Sequence, residues 1–236
     1  MSPKTILVTG CSTGGIGAAV ALALAKRSHH VFVTARSVSK IPPALSELSN
    51  VTVLPMDVAS TSSVAEAAQT VQDFAELLIK RKGRIVNLST CGAAVNTSWI
   101  SEYCSSKAAL TTVSETLRLE LSPFGVSVVT IMAGAVSSHF HDNEPDFKLP
   151  NRSYYAPIEE IVAGWASGKS KPGGCSPEQF AESLVEDIGP HAGGIKFLSM
   201  WLPSWCQDAA MSVNQGLKEL RQNIVGTEPV EMGTCD

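Results

Sequence analysis

ILVTGCSTGGIGAAVALALAK, residues 6–26, is a short apolar run that ends in a cluster of glycines and passes straight into a second, longer apolar run. The first run is strand-like, and the second, residues 18–26, has the length and alanine content of a buried helix. Gly10, Gly14, Gly15 and Gly17 stand between them. Glycine accepts positive φ and lets other groups approach the backbone closely, so this step presents the N–H groups of a helix start to an anion such as a pyrophosphate. A glycine-rich turn alone is a weak signal; its place after a strand and before a helix gives it weight. Further strand-like runs recur at residues 31–35, 51–54, 85–88 and 126–132, with helix-like stretches among them. Such alternation predicts an α/β fold around a parallel sheet.

The chain has 236 residues, 44% of them hydrophobic, and a net charge of −4, enough for one well-buried domain over residues 1–236. With neither charge sign dominant, no nucleic-acid partner is indicated. Cys11, Cys91, Cys104, Cys175, Cys206 and Cys235 show no C-x-x-C spacing, which argues against a zinc site. His139, His141 and Asp142 lie close in sequence, but a polar loop accounts for them and no metal is expected. MSPKTILVTG leads directly into the first strand, so a cytoplasmic chain with reduced thiols is expected.

Residues 85–110 carry the chemistry. Ile85, Val86 and Leu88 form a strand running into Ser89 and Thr90; after a small-residue loop comes a helix with Tyr103 and Lys107. Four positions apart, those two side chains share one helical face, one turn apart. A free tyrosine ionises near ~10, so a fixed ammonium close by makes its phenol a more usable acid at neutral pH. A hydroxyl at the strand end would hold a carbonyl oxygen beside that phenol. The same pair also suits a plain amphipathic surface, and its neighbours decide between the two readings.

With ILVTGCSTGGIG, IVNLST and YCSSK in that order, the chain resembles the short-chain dehydrogenase/reductase family over most of residues 3–140. The resemblance implies a Rossmann-like doubly wound parallel sheet in three α/β/α layers. It also implies an NADP(H)-dependent oxidoreductase that reduces a ketone, or oxidises an alcohol, on a small apolar or lipid-like substrate. Tyr103 would then donate the proton, Lys107 would lower its pKa and bind the ribose, and Thr90 would hold the carbonyl where the family places serine, with Ser89 as a fallback. Gly10, Ser12, Gly15, Ile16 and Gly17 match the family's phosphate turn, although the loop is one residue longer than its usual TG-x-x-x-GIG. Arg36, helped by Ser37, follows the second strand where an acid would select NAD(H); its place there favours NADP(H) over the plainer reading of a solvated arginine. Asp57 and Val58 resemble the adenine-binding step, and Val136 and Ser138 in AGAVSS match the turn that contacts the nicotinamide carboxamide and phosphate.

One departure stands out. Residues 62–80 read as a single amphipathic helix stopped by Gly83, and Asp57 and Ile85 are only 28 positions apart. That leaves room for one crossover helix, since a βαβ unit takes ~30 residues. The family has two crossovers there, with a central fourth strand ending in Asn-Asn-Ala-Gly and a helix bearing a catalytic asparagine, and this chain contains no Asn-Ala-Gly. The fourth strand and following helix are therefore expected to be absent, with Gln72 and Asn87 in the wrong elements to replace the asparagine. Three outcomes are open: strands one and five pair directly, residues 62–80 fill the space, or coding sequence was skipped near residues 70–76. A degenerate or mis-spliced, non-catalytic protein that binds nucleotide weakly or not at all is the alternative function.

Residues 140–175 are rich in Pro, Gly, Asn and Ser, suiting a substrate lid or a plain loop. SPEQ at residues 176–179 signals a helix start. Residues 195–206 gather Phe197, Leu198, Met200, Trp201, Leu202 and Trp205, too few for a span of ~20 apolar residues. They suit an interfacial anchor, a core strand or a dimer contact, and resemble the tail of the fungal NADPH-dependent 1-acyldihydroxyacetone-phosphate reductases within the family. Peripheral contact with the endoplasmic reticulum or a lipid droplet, and a homodimer, are the partner expectations that follow from the resemblance.

Overall fold

The computed structural model describes residues 3–70, 74–143, 147–170, 173–187, 219–220 and 222–223. In chain order the strands and helices are β1 (Thr5–Val8), α1 (Ile16–Lys26), β2 (His30–Ala35), α2 (Pro43–Ser46), β3 (Val51–Pro55), α3 (Thr61–Thr70), α4 (Phe74–Arg81), β4 (Arg84–Thr90), α5 (Ser101–Leu121), β5 (Ser127–Ala133), α6 (Glu159–Ala166) and α7 (Pro177–Asp187). The apolar segment 195–206, Gln72, Cys206 and Cys235 lie outside the described residues.

The strands are parallel but belong to two sheets. β2 lies between β1 and β3, with Ile6 opposite Val31 and Val33 opposite Val53. β4 pairs with β5 from Arg84–Ser127 through Thr90–Ala133. No backbone bridge joins β1 to β4 among the described residues, so direct pairing of the strands flanking the missing one is not what happens. From the stretch of residues 62–80, α3 packs against β3. Of the single helix expected over residues 62–80, the described parts are α3 and α4, and residues 71–73 between them lie outside the described residues. Gly83 does end α4, donating to Leu78 O at 2.7 Å, but Lys82, at φ +48, takes the left-handed position.

The two sheets share one core. α1 is nearly all apolar; it buries Ala18, Val20, Ala21, Ala23, Leu24 and Ala25, and its alanines let it lie close to the strands. Burial of Leu24 and Val20 stabilises by about 1.5–3 kcal/mol each. Ala181 and Leu184 of α7 join the same cluster, which also takes in Ile131 of β5, Val86 and Leu88 of β4, and Ile6 and Val8 of β1. α7 packs along α1, and its start is a reciprocal capping box: Gln179 N–H donates to Ser176 Oγ at 3.2 Å and Ser176 N–H to Gln179 Oε1 at 3.0 Å.

Alternate residues of β4 turn to opposite faces. Val86 and Leu88 meet the α1–α7 side, whereas Asn87 Nδ2 donates to the buried Ser114 Oγ of α5 at 2.8 Å and Ser89 Oγ shares a 2.8 Å hydrogen bond with Thr111. α5 and α7 therefore cover opposite faces, giving the helix–sheet–helix layering of a doubly wound fold cut short at its centre.

Candidate active site

The glycine turn is built as its sequence requires. Gly10 and Gly14 both stand at φ +71. A Cβ at Gly17 would press on Thr9 O at 2.7 Å, and one at Gly15 on Ser12 O at 2.9 Å, so larger residues would push the turn off the start of α1. Gly15 is the N-cap and supplies no side-chain cap, which leaves the first N–H groups of α1 for a ligand. These features fit a dinucleotide phosphate. The extra loop residue is absorbed at Thr13, whose N–H and hydroxyl both donate to Lys40 O, at 2.8 and 2.9 Å. Beneath the turn Cys11 is fully buried, and that burial pushes its thiol up to about 11 from 9.0.

Arg36, Ser37, Ser39 and Lys40 are all exposed just past β2, with the Ser37 and Ser39 hydroxyls 2.8 Å apart. Two cations and two serine hydroxyls thus stand exposed on the five residues that follow β2. Lys40 and Thr13 were not singled out from the sequence, because their meeting depends on the lengthened loop leaning across β2. Asp57 uses Oδ1 to accept from Ala59 N–H at 3.0 Å, closing its own turn, and Val58 is 71% exposed.

Tyr103 and Lys107 stand on α5, packed against β4 and β5. Lys107 Nζ donates to Leu88 O at 2.9 Å, and burial lowers its pKa below the ordinary amine value. The Thr90 hydroxyl donates to Ala133 O at 3.2 Å and accepts from Gly92 N–H at 3.3 Å. Ser89 is only 2% exposed and also donates to Lys107 O at 3.2 Å; it faces α5 and is thereby removed as the fallback carbonyl holder. Asn87 is likewise committed to Ser114.

The loop after β5 brings the two halves together. Val136 is buried and bridges Cys175, and Ser138 N–H donates to Val136 O at 2.9 Å. His139 N–H then donates to Gly14 O at 3.3 Å, its ring lying where a Cβ on Gly14 would be. Phe140, the next residue, stacks on Tyr103 with ring centroids 5.7 Å apart. Neighbouring Cα atoms are ~3.8 Å apart, so the glycine turn and the tyrosine flank the same two residues. Asp142 Oδ2 is 3.7 Å from His139 Nδ1, whereas His141 turns the other way, to Ala166 O at 3.1 Å. Tyr155, from the stretch expected to form a lid, stacks edge-on against Trp99 at 5.1 Å, just before α5. That stretch is not all loop, since it holds α6. No helix among the described residues is long and apolar enough to cross a membrane.

A sequence pattern described as short chain dehydrogenase matches residues 4–77 and 68–148, two pieces that meet at residues 68–77. The chain is 33% identical over 243 aligned positions to a short-chain dehydrogenase of Penicillium crustosum, with 84% of this chain and 89% of the relative covered. As 84% of 236 residues is about 198, about 45 of those positions have no residue here. An NADPH-dependent 1-acyldihydroxyacetone phosphate reductase of Schizosaccharomyces pombe is 29% identical, over 67% of this chain and 70% of that protein. Among solved structures, a short-chain dehydrogenase from Streptomyces avermitilis shares the fold at a TM-score of 0.65 and 21% identity, covering 97% of this chain and all of its own. A short chain dehydrogenase from Burkholderia cenocepacia in complex with NADP superposes at 0.55 and 17% identity, covering 89% and 98%.

Proposed function

The chain belongs to the short-chain dehydrogenase family of oxidoreductases, and from that premise we propose that it reduces a ketone on a small apolar or lipid-like substrate with NADP(H). The observation that carries the proposal is the loop of His139 and Phe140, which sets the phosphate turn and Tyr103 on either side of one short stretch. The bound cofactor supplies the hydride. Tyr103 gives its proton to the carbonyl oxygen as that oxygen becomes an alcohol, and solvent returns a proton to the phenolate. Lys107 stabilises that phenolate and holds the ribose hydroxyls, and Thr90 steadies the carbonyl once its hydroxyl turns from Ala133 O.

Arg36 and Lys40, with no acid beside them at the end of β2, support NADP(H), in keeping with the names of the Schizosaccharomyces and Burkholderia proteins. The rings of Trp99, Tyr103, Phe140 and Tyr155 support an apolar substrate. A homodimer through the outer face of α5, where Val113 and Leu119 stay exposed, and a peripheral lipid contact through residues 195–206 in the cytoplasm complete the proposal. The test is NADPH oxidation with a panel of apolar ketones. Turnover is expected with at least one; turnover unchanged in Tyr103→Phe removes the tyrosine mechanism, and no NADPH binding by the folded chain leaves the degenerate-protein alternative.

A further inference from the structure

We propose that His139 is a ligand of the cofactor's diphosphate, its imidazole donating to the same phosphates as the first N–H groups of α1. This role rests on the dinucleotide part of the reading above and adds to it a residue from outside the glycine turn.

The start of α1 leaves donors open. Among the described residues no acceptor meets the N–H groups of Ile16, Gly17 or Ala18, and the first helical bond runs from Ala19 N–H to Gly15 O at 3.3 Å. Gly14 O, the carbonyl that Ala18 N–H would ordinarily use, accepts from His139 N–H instead, also at 3.3 Å. The loop after β5 thus takes the place of one helical bond and carries its own side chain to the helix start. No acidic residue stands in the first turn of α1 to oppose a phosphate.

The ring is seated by the lengthened part of the turn. Gly14 ends the four-residue stretch, residues 11–14, that is one residue longer than the family's, and it stands at φ +71. A Cβ there would fall 2.6 Å from both Cγ and Cε1 of His139, so the imidazole fills space that only glycine leaves. The backbone beneath the ring is pinned: Val136 is buried, Ser137 N–H donates to Cys175 O at 2.9 Å, and Ser138 N–H donates to Val136 O at 2.9 Å. The His139 side chain itself is 66% exposed. It can therefore turn about its own bonds toward a ligand without moving the loop.

An imidazole has at least one N–H to donate in either charge state, and a diphosphate is an anionic row of acceptor oxygens. Asp142 Oδ2 faces the ring from the same loop, but at 3.7 Å from Nδ1 it is too far to be a hydrogen-bond acceptor, and among the described residues no other acceptor takes the ring's donor. A residue that holds the diphosphate acts on whole dinucleotides and not on fragments lacking that group. Arg36, in contrast, acts through the 2′-phosphate.

That difference supplies the test. Binding to the full-length chain is measured by tryptophan fluorescence for NADPH, and by displacement of NADPH for 2′-AMP, which has the 2′-phosphate and no diphosphate. In His139→Ala, NADPH is expected to bind roughly ten- to a hundredfold more weakly, with 2′-AMP binding as in wild type. Unchanged NADPH affinity overturns the role of His139, and so does tighter binding, which would mean that the ring obstructs the phosphates. Parallel loss of both ligands also overturns it, because His139 would then be keeping the shape of the turn rather than touching the diphosphate. A folded wild-type chain that binds no NADPH removes the dinucleotide reading itself and this role with it, a result distinguished from the others because it needs no variant.

Discussion

At Tyr103 and Lys107 the spacing of two side chains on one helix was legible in the sequence, because i and i+4 meet whatever the rest of the fold does. What each touches was not legible, since Lys107 is held by Leu88 O and Tyr103 by Phe140, contacts that depend on the absent strand and on the loop after β5. Tyr103→Phe keeps the ring and its contact and removes only the acidic proton, so kcat is expected to fall roughly 10²–10⁴-fold with NADPH affinity unchanged. Arg36→Ala removes a charge-assisted partner for a 2′-phosphate, and NADPH is expected to bind roughly ten- to a hundredfold more weakly while NADH is unaffected, by fluorescence titration. Cys11 gives a pH prediction whose sign follows from its burial. Its thiol ionises near 9.0 when unfolded and about 11 when folded, so between those values the unfolded chain sheds a proton that the folded chain keeps. Stability is therefore flat below pH 9 and falls as pH rises toward 11, by about 1 kcal/mol at pH 10. Urea midpoints at pH 8 and 10 check this, and the extra loss at pH 10 should vanish in Cys11→Ala.

Among the elements, the strand–glycine–helix step and the start of α7 could be read locally because their signals are local: Gly15 and Gly17 answer to atoms within a few residues, and Ser176 to Gln179. Ser89 was legible as a strand-end hydroxyl but not as one facing α5; the face of a strand residue is set by which helix covers it. Ser176→Ala loses one half of the capping box, and a cost of about 1 kcal/mol is expected. Calorimetry should show Tm lower by roughly 2–4 °C, with Ser176→Asp close to wild type because aspartate accepts the same bond.

For the molecule as a whole, the sequence betrayed the missing strand by chain length alone, since 28 positions cannot hold two crossovers. Length could not tell whether the sheet would close or split, because that choice sets the ladder bonds β1 and β4 could make against the apolar packing that α1 and α7 keep with both sheets. Packing won, and the two sheets are bridged through the side-chain core rather than through backbone. A bridge of that kind is open to repair in cis. Inserting, at residues 68–77 where the two pattern matches overlap, the part of the Penicillium crustosum protein that aligns to no residue there is expected to add a strand beside the unpaired edges of β1 and β4. Because the urea m-value grows with the surface that unfolding exposes, the chimera should show a larger m-value as well as a higher midpoint. An inserted segment that merely loops into solvent leaves m where it was and lowers the midpoint slightly through the longer loop. The first result means that two half-sheets were waiting for a strand; the second means that the split sheet is this chain's own complete fold.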